Sequence, residues 1–315
     1  MPELISTREA YGLALAELGD KYAFWVLDAD LSKATRTEIF AAKYPNRFFD
    51  MGISESDMMS TAAGIASCGK TVFASTFAMF SAGRAYEQIR NSVAYASLNV
   101  KIGATHGGVL IGEDGGSHQC IEDIALMRVI PNMTVMVPAD AVEARAVVEA
   151  AILHDGPVYM RFGKSDVPLV YNKDDFSFEL GKAKQIQDGE DVTIIAAGEM
   201  VYESMVASEQ IAKKGISARV IDMHTIKPID REIIIKAAME TGCIVTVEDH
   251  NIIGGLGGAV TEVLSESVPV PVKRVGIQDR FGFSGKRTDL ARSFGLDAKT
   301  IMENILAVIN MKKYR

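Results

Sequence analysis

Cysteine is scarce in this chain, whose 315 residues include only Cys68, Cys120 and Cys243. Three cysteines so far apart exclude a disulfide framework and a zinc knuckle. The chain also lacks an apolar run as long as a membrane span. Its first residues show neither the hydrophobic region of a signal peptide nor the Arg and Ser bias of a transit peptide. We therefore expect a cytoplasmic protein that does not enter a membrane.

Basic segments are lacking as well. The net charge is −8, and no basic run precedes the short Lys312–Lys313 tail. This charge balance argues against a general nucleic-acid-binding protein. Hydrophobic residues make up 48% of the chain and charged residues 23%, the proportions of a soluble globular protein. A chain of this length is long enough for two domains.

Short apolar runs alternate with helical patterns along the chain, which is typical of βαβ units on a parallel sheet. The predicted fold class is therefore α/β, with two three-layer α/β/α domains on parallel sheets. We place them at residues 1–165 and 191–315, with a polar linker or edge hairpin at 166–190. The predicted strands are Phe24–Leu27, Thr71–Ser75, Val100–Ala104, Thr134–Val137, Val158–Arg161, Val192–Ala196, Ala218–Ile221, Cys243–Val247 and Val272–Val275. The predicted helices are Arg8–Leu18, Glu55–Ser67, Arg84–Ser97, Ile121–Arg128, Ala141–His154 and Lys299–Met311.

A glycine-rich loop with two histidines and an acid follows the third of these strands. Residues Thr105–Gln119 read T-H-G-G-V-L-I-G-E-D-G-G-S-H-Q. A parallel strand that ends in such a loop places polar side chains at the ligand-binding edge of a sheet. Glycine also lets the backbone approach a ligand closely. From spacing alone, an ordinary polar loop with solvated histidines remains the alternative.

Two further segments carry candidate residues. The run M-G-I-S-E-S-D-M-M-S places Glu55 at the start of a helix, among Met and Ile residues. Ser54 and Asp57 there could equally form a capping box, since acids in a first turn favour the helix dipole. The run S-T-F-A-M-F ends a strand with Phe77 and Phe80, a spacing that is more often found in a core than beside a cofactor.

Taken together, these motifs resemble those of transketolases. The T-H-G-G loop with G-E-D-G-G-S-H-Q resembles the sugar-binding loop of that family. G-I-S-E resembles the segment that carries the catalytic glutamate of thiamine-diphosphate enzymes, and T-F-A-M-F resembles the aromatic run that packs on the aminopyrimidine ring. The resemblance implies thiamine diphosphate as the cofactor, with Glu55 as the acid that hydrogen-bonds the ring nitrogen N1′. Phe77 and Phe80 would bind the same ring by offset stacking.

The same resemblance implies a sugar-phosphate site. His106 would contact the sugar phosphate or hydroxyls, Asp114 would recognise the C2 hydroxyl, and His118 would bind the substrate carbonyl. Both histidines are therefore catalytic as well as substrate-binding candidates. Arg8 in S-T-R-E-A-Y and Arg161 in Y-M-R-F-G would bind the phosphate, because a guanidinium can donate a bidentate pair. Surface ion pairing is the alternative for both arginines.

Two departures from the family pattern leave the sugar phosphate undefined. Gly107 stands where transketolases often have Asp. Ser32-Lys33-Ala34-Thr35 stands where many members have P-S-N, so a phosphate-contacting serine has no clear match. Substrates of the pentose phosphate type are the default expectation.

The sequence contains no G-D-G motif, through which thiamine-diphosphate enzymes anchor the diphosphate and Mg²⁺. The resemblance runs from about residue 6 to the C-terminus and corresponds to the last two of three family domains, the pyrimidine-binding and C-terminal domains. This implies a split transketolase that transfers a two-carbon ketol unit from a ketose phosphate to an aldose phosphate. A separate N-terminal subunit would bind the diphosphate and Mg²⁺ or Ca²⁺, and two copies of each chain would form an α₂β₂ assembly. We predict no metal ligands in this chain.

Other interpretations are less well matched. His106, His118 and Cys120 lack a fourth zinc ligand at a standard spacing. The run G-G-L-G-G-A at Gly254 does not satisfy G-x-G-x-x-G and instead resembles packing glycines of the transketolase C-terminal domain. The alternative functions are the β subunit of a 2-oxo-acid dehydrogenase, whose loop usually lacks G-E-D-G, and a non-catalytic regulatory or scaffold homologue.

Overall fold

The computed structural model describes residues 4–313 of the chain. In that range the strands are β1 (Leu4–Ser6), β2 (Phe24–Asp28), β3 (Phe48–Asp50), β4 (Thr71–Phe77), β5 (Val100–Thr105), β6 (Thr134–Met136), β7 (Val158–Phe162), β8 (Asp166–Pro168), β9 (Lys184–Gln187), β10 (Val192–Ala196), β11 (Ala218–Asp222), β12 (Thr225–Lys227), β13 (Ile244–Asn251) and β14 (Val272–Ile277). The α-helices are α1 (Thr7–Leu18), α2 (Ser32–Thr35), α3 (Glu38–Lys43), α4 (Glu55–Ser67), α5 (Tyr86–Gln88), α6 (Asp123–Arg128), α7 (Ala141–Leu153), α8 (Met200–Ala212), α9 (Arg231–Thr241), α10 (Leu256–Glu266), α11 (Arg287–Phe294) and α12 (Ala298–Lys313).

Two mixed but mainly parallel sheets form the framework. The first has the order β12-β6-β7-β5-β4-β2-β3 and the second the order β14-β13-β10-β11-β9. In the first sheet only β12 is antiparallel to its neighbour, and in the second only β9 is. Helices flank both sheets, so the predicted α/β class is confirmed. All nine predicted strands are present, although the ends of most differ by one to four residues.

The two halves of the chain are joined more closely than a linker at 166–190 would require. Within that segment, β8 pairs with β1 and β9 completes the edge of the second sheet. β12 follows the first two strands of the second domain, yet it pairs with β6 of the first sheet. An antiparallel edge strand can be added to a parallel sheet without a crossover helix, which explains how so short a segment bridges the domains.

One predicted helix differs in its type and bounds. Instead of a continuous α-helix over Arg84–Ser97, the chain forms two π-helical turns, Met79–Arg84 and Ile89–Ala94, on either side of the short helix α5. β4 also continues to Phe77, so the first π turn follows the strand almost directly. Gly83 lies in this turn, where a Cβ atom would lie 2.1 Å from the Met79 side chain. A larger residue at this position would require the end of the Met79 side chain to move. Such wide turns are frequent at functional sites.

The hydrophobic core is continuous between the domains. One buried cluster covers the α4 and α6 face of the first sheet and continues through Ile195, Ile221 and Met223 to helices α9 and α10. A second cluster lies between the first sheet and helices α1 and α7, and a third lies under α8 and α12. Burial of apolar side chains on both faces accounts for the near-continuous apolar strands. Among the helices of residues 4–313, none combines the length and apolar character needed to span a bilayer.

Candidate active site

The glycine-rich loop begins at the carboxyl end of β5, beside the end of β4. The two strands are paired in parallel, and Phe77 is opposite Thr105 in the register. Phe77 and His106 therefore leave adjacent strand ends on the same edge of the sheet, where α/β proteins bind ligands. His106 has a positive φ of 61° and is 2% exposed, while His118 is partly buried. The alternative of a loop with fully solvated histidines is therefore wrong for His106.

Four aromatic rings from these segments form one cluster. The Phe77 and His106 rings are stacked with centroids 3.8 Å apart, and the Phe77 and Phe80 rings are stacked at 5.6 Å. The His118 ring lies edge-on to both phenylalanines, at 6.1 Å from Phe77 and 5.4 Å from Phe80. Phe77 is buried and Phe80 is partly buried. The pair is therefore not confined to the core, because Phe80 reaches the surface beside His118.

Glu55 is the first residue of α4 and joins this cluster through Arg84. Its side chain is 2% exposed, and its Oε2 accepts a hydrogen bond from Arg84 Nη1 at 2.7 Å. The Arg84 guanidinium lies over the Phe80 ring, 4.8 Å from the centroid. The capping-box alternative is not supported, because the Ser54 side chain makes no cap hydrogen bond at the start of α4. Glu55 is instead a buried acid next to an aromatic surface.

The environment of His106 defines its protonation state. Burial, together with the positive charges of Arg8 and Lys164, lowers the pKa of His106 to about 2, so the ring is neutral at pH 7. Nδ1 lies 2.9 Å from Thr105 Oγ1, and Nε2 lies 3.5 Å from Arg8 Nη1. Since arginine can only donate, Nε2 is the acceptor and Nδ1 carries the proton.

The polar end of the site contains two cations and an acid. Arg8 Nη1 donates to the Ala34 carbonyl at 2.9 Å, and its Nε donates to the Lys164 carbonyl at 3.1 Å. The Lys164 ammonium lies 2.7 Å from Asp114 Oδ2, with both side chains about 30% exposed. Within the described residues Arg8 forms no salt bridge, so surface ion pairing does not explain it. Together these groups suit recognition of an anionic, hydroxylated ligand.

The structure separates Arg161 from the cations that line this end of the site. Its side chain is 7% exposed, and Nε donates to Asp123 at 2.8 Å. Nη2 donates to the carbonyls of Cys120 and Asp249 at 3.2 and 2.9 Å. Arg161 and Tyr159 are two residues apart on β7 and point to the same face, where Asp123 accepts a hydrogen bond from each. Arg161 therefore lies behind the loop, whereas Lys164 lies beyond the end of the strand.

Sequence reasoning missed Lys164 and Arg84. Lys164 follows the predicted strand by only three residues, so its position after the strand end was a usable signal. Arg84 follows Phe80 by four residues, but the unpredicted π turn sets its direction. In residues 4–313 no three His, Cys, Asp or Glu side chains converge in a way that could hold a metal ion. Gly254, Gly255 and Gly257 pack closely, as expected, since a Cβ atom on Gly255 would lie 2.0 Å from Glu248 Oε2.

Comparison with known domain families matches nearly the whole chain. Residues 3–170 match the pyrimidine-binding domain of transketolase, and residues 181–301 match the transketolase C-terminal domain. These matches cover both sheets and the loop with His106 and His118. They agree with the resemblance inferred from the motifs.

Individual relatives agree with the domain matches. A Methanocaldococcus jannaschii protein, provisionally named a transketolase C-terminal section, is 51% identical over 97% of this chain and 96% of its own length. A 6-deoxy-6-sulfo-D-fructose transketolase subunit from Clostridium sp. is 42% identical over 92% of this chain and 89% of its own length.

A solved structure extends the similarity to three dimensions. It is described as an inactive β4 tetramer of a split-gene transketolase. It is 50% identical and superposes with a TM-score of 0.91 over 98% of this chain and 99% of its own. The chain therefore belongs to the transketolase family and contains its pyrimidine-binding and C-terminal domains.

Proposed function

We propose that this chain is the C-terminal subunit of a split transketolase. With a separate subunit that binds the diphosphate and Mg²⁺, it would transfer a two-carbon ketol unit from a ketose phosphate to an aldose phosphate. The proposed assembly is an α₂β₂ heterotetramer. The observation that carries this proposal is the contact series from Glu55 through Arg84 and Phe80 to His118, Phe77 and His106. It joins an acid, an aromatic surface and two histidines at one sheet edge.

The residues near Glu55 fit an aminopyrimidine ring. A buried carboxyl can share a proton with a ring nitrogen, and the stacked Phe77 and Phe80 rings offer a surface for offset stacking. When bound, thiamine diphosphate supplies the carbanion chemistry of the reaction. The part of Glu55 would be to hold the proton at that nitrogen.

The residues at the other end fit a sugar phosphate. Neutral His106 can offer Nε2 to a hydroxyl in place of its 3.5 Å contact with Arg8, because its Nδ1 proton is directed to Thr105. His118 is held by Ser117, whose Oγ lies 3.0 Å from Nδ1, and its ring lies beside the phenylalanines. Asp114 can accept from a sugar hydroxyl. Arg8 and Lys164 would balance the phosphate charge.

The proposal of a separate partner rests on the sequence and on the relatives. The chain has no G-D-G motif for the diphosphate. Two relatives of similar length are themselves named a section or a subunit of a transketolase. The similar split-gene structure, described as an inactive tetramer of β chains alone, is consistent with a need for another subunit.

The test is reconstitution with a partner that carries G-D-G. The chain is purified from its own cells, the stoichiometric partner is identified, and both are expressed and mixed with thiamine diphosphate and Mg²⁺. Ketol transfer is assayed with xylulose 5-phosphate as the donor and ribose 5-phosphate as the acceptor. Fructose 6-phosphate and 6-deoxy-6-sulfo-D-fructose are compared as donors, because one relative is named for the sulfo-sugar.

Glu55→Gln is the decisive variant, with Asp57→Asn as its matched control. Both acids lie in the first turn of α4, but Glu55 is buried and Asp57 is exposed. We expect Glu55→Gln to lower kcat by about 10²- to 10⁴-fold, the usual range for a general acid–base group, while the assembly forms normally. Asp57→Asn should retain wild-type turnover. A wild-type pair inactive with every donor, or a fully active Glu55→Gln pair, would contradict the proposed function.

A further inference from the structure

Two consecutive acids of β13, Glu248 and Asp249, each accept hydrogen bonds from two backbone N–H groups of another segment. Glu248 accepts hydrogen bonds from the backbone N–H groups of Leu256 at 2.7 Å and Gly257 at 2.8 Å. Asp249 accepts from the N–H groups of Val109 at 2.9 Å and Leu110 at 3.1 Å. Both carboxyls are buried. Glu248 therefore caps a helix within its own domain, whereas Asp249 reaches across to the glycine-rich loop.

Asp249 also holds the far end of that loop through Arg161. Arg161 Nη2 donates to the carbonyls of both Asp249 and Cys120, and its Nε is anchored by Asp123. The loop is closed on itself there, because Gly108 N donates to the Cys120 carbonyl at 2.7 Å. Asp249 thus contacts the start of the loop through its carboxylate and the end of the loop through its backbone carbonyl and Arg161.

The contact is close enough to require glycine on the loop side. Gly108 has a φ of +83°, and a Cβ atom there would lie 2.0 Å from Asp249 Oδ2. Such a distance is far inside van der Waals contact, so a side chain at this position would push the loop and Asp249 apart. The conformation also disfavours residues other than glycine.

The tip of the loop contacts the C-terminal domain as well. Gln119 Nε2 donates to the carbonyl of Phe283 at 3.0 Å and to that of Val109 at 3.2 Å. Ser284 Oγ donates to the carbonyl of Glu113 at 2.8 Å, next to Asp114. These bonds support the tip, but among the described residues of the C-terminal domain Asp249 alone contributes a buried carboxylate to the loop.

We propose that Asp249 is a positioning residue for ketol transfer: the C-terminal domain uses it to fix the substrate loop so that His106, Asp114 and His118 hold their places. This inference rests on the function proposed above. Hydrogen bonds that a carboxylate accepts from backbone N–H groups are stronger than neutral ones, and a buried N–H group left without an acceptor is costly. Loss of the carboxylate therefore loosens residues 107–110, and the shift is transmitted to His106 directly before them.

The first experiment measures amide hydrogen exchange in the full chain, separately from any activity. In Asp249→Asn, the remaining side-chain oxygen can accept from one of the two N–H groups. The amide NH₂ then faces the second N–H group, which loses its acceptor. We expect exchange in peptides spanning residues 105–119 to rise at least tenfold. Glu248→Gln is the matched control, since it makes the same change one residue earlier, and it should raise exchange around Leu256 but not in the loop. Equal exchange in the loops of Asp249→Asn and wild type would overturn the proposal.

The second experiment measures kinetics in the reconstituted pair. A misplaced catalytic group can cost about a hundredfold in rate. We expect Asp249→Asn to raise KM for xylulose 5-phosphate and to lower kcat/KM by about tenfold to a hundredfold. A merely structural defect lowers the active fraction and so lowers apparent kcat without changing KM, which is the pattern expected of Glu248→Gln. Indistinguishable KM values for the two variants would refute the positioning role.

Gly108→Ala keeps the proposal testable if Asp249→Asn folds poorly. It disturbs the same contact from the loop and leaves the buried carboxylate of the second domain in place. We expect it to reproduce the loop exchange and the rise in KM. Loop exchange and KM both at wild-type values in Gly108→Ala would refute the positioning role. A wild-type pair without ketol transfer would contradict the proposed function instead, and the exchange measurement would still decide whether Asp249 holds the loop.

Discussion

Replacement of Lys164 by Met should weaken the binding of a phosphorylated substrate without destabilising the fold. The Lys164–Asp114 pair lies at the surface, with side chains 28% and 30% exposed. Exposed ion pairs contribute about 0–1 kcal/mol, because water screens them and ordering the side chains costs entropy. We therefore expect Lys164→Met to change the free energy of unfolding by less than about 1 kcal/mol. Its effect on a bound phosphate should be larger.

The magnitude of that effect follows from the charge that would be lost. A hydrogen bond to a charged group is worth about 1.5–3 kcal/mol, and 1.4 kcal/mol corresponds to a tenfold change in affinity. KM for a phosphorylated ketose should therefore rise about tenfold to a hundredfold in Lys164→Met. Lys164→Arg retains a cation at the same place and should restore most of the affinity. Since Arg8 remains in both variants, neither should abolish binding.

Steady-state kinetics of the reconstituted pair, with urea unfolding alongside, provide the assay. The control substrate is an unphosphorylated ketose, whose KM should be the same in wild type and Lys164→Met. Arg161→Met is the comparison variant. It would leave the fully buried Asp123 without its cation, which typically costs about 3–5 kcal/mol of stability. An unchanged KM for the phosphorylated ketose in folded Lys164→Met would refute the role of Lys164 in phosphate binding. A rise in that KM alone in folded Arg161→Met would assign phosphate binding to Arg161 instead.

Two further predictions concern buried acids. Arg84→Met removes the cation beside Glu55, and because Arg84 is half exposed we expect the free energy of unfolding in urea to fall by only about 1 kcal/mol. The same change should have no effect when Glu55→Gln is also present, and additive effects of the two changes would contradict this. Burial raises the pKa of Asp222 to about 7 from 3.8, and it also raises the pKa of neighbouring Glu143. The folded state therefore binds a proton that the unfolded state has released, so stability should fall as pH rises from about 4 to about 7. Asp222→Asn should remove this part of the pH dependence, and identical pH profiles of wild type and variant would rule it out.

The strands and the residues at their ends were predictable because both signals are local. Apolar runs between helical patterns located the sheets, and the parallel order brought Phe77 and His106 to one edge, as the pairing of β4 with β5 requires. Glu55 was identified as a candidate from the ten-residue run M-G-I-S-E-S-D-M-M-S that surrounds it. The π turns at Met79–Arg84 and Ile89–Ala94 were not predictable, since the Arg, Ala, Glu and Gln residues of R-A-Y-E-Q-I-R suit an α-helix equally well.

Contacts between distant segments could not be predicted from one sequence. Arg161 and Lys164 are three positions apart. Which of them reaches the polar end of the site depends on where β7 ends and on Asp123, which pairs with Arg161. The bond from Asp249 to Val109 spans 140 residues, and no nearby residue signals it. The same holds for β12, whose three residues gave no indication that they would pair with β6 of the first sheet.

The division into two domains describes the sheets better than it describes the site. A single buried cluster passes from α4 and β5 to α9 and α10, and β12 extends the first sheet with residues from the second half of the chain. The loop with His106 belongs to the first sheet, but its backbone forms hydrogen bonds with the Asp249 and Ser284 side chains of the second domain. The Gln119 side chain at its end donates to the Phe283 carbonyl. Residues on a loop keep their geometry only if the loop is held by rigid elements. The second domain supplies that support, so the geometry of the substrate loop depends on both halves of the chain.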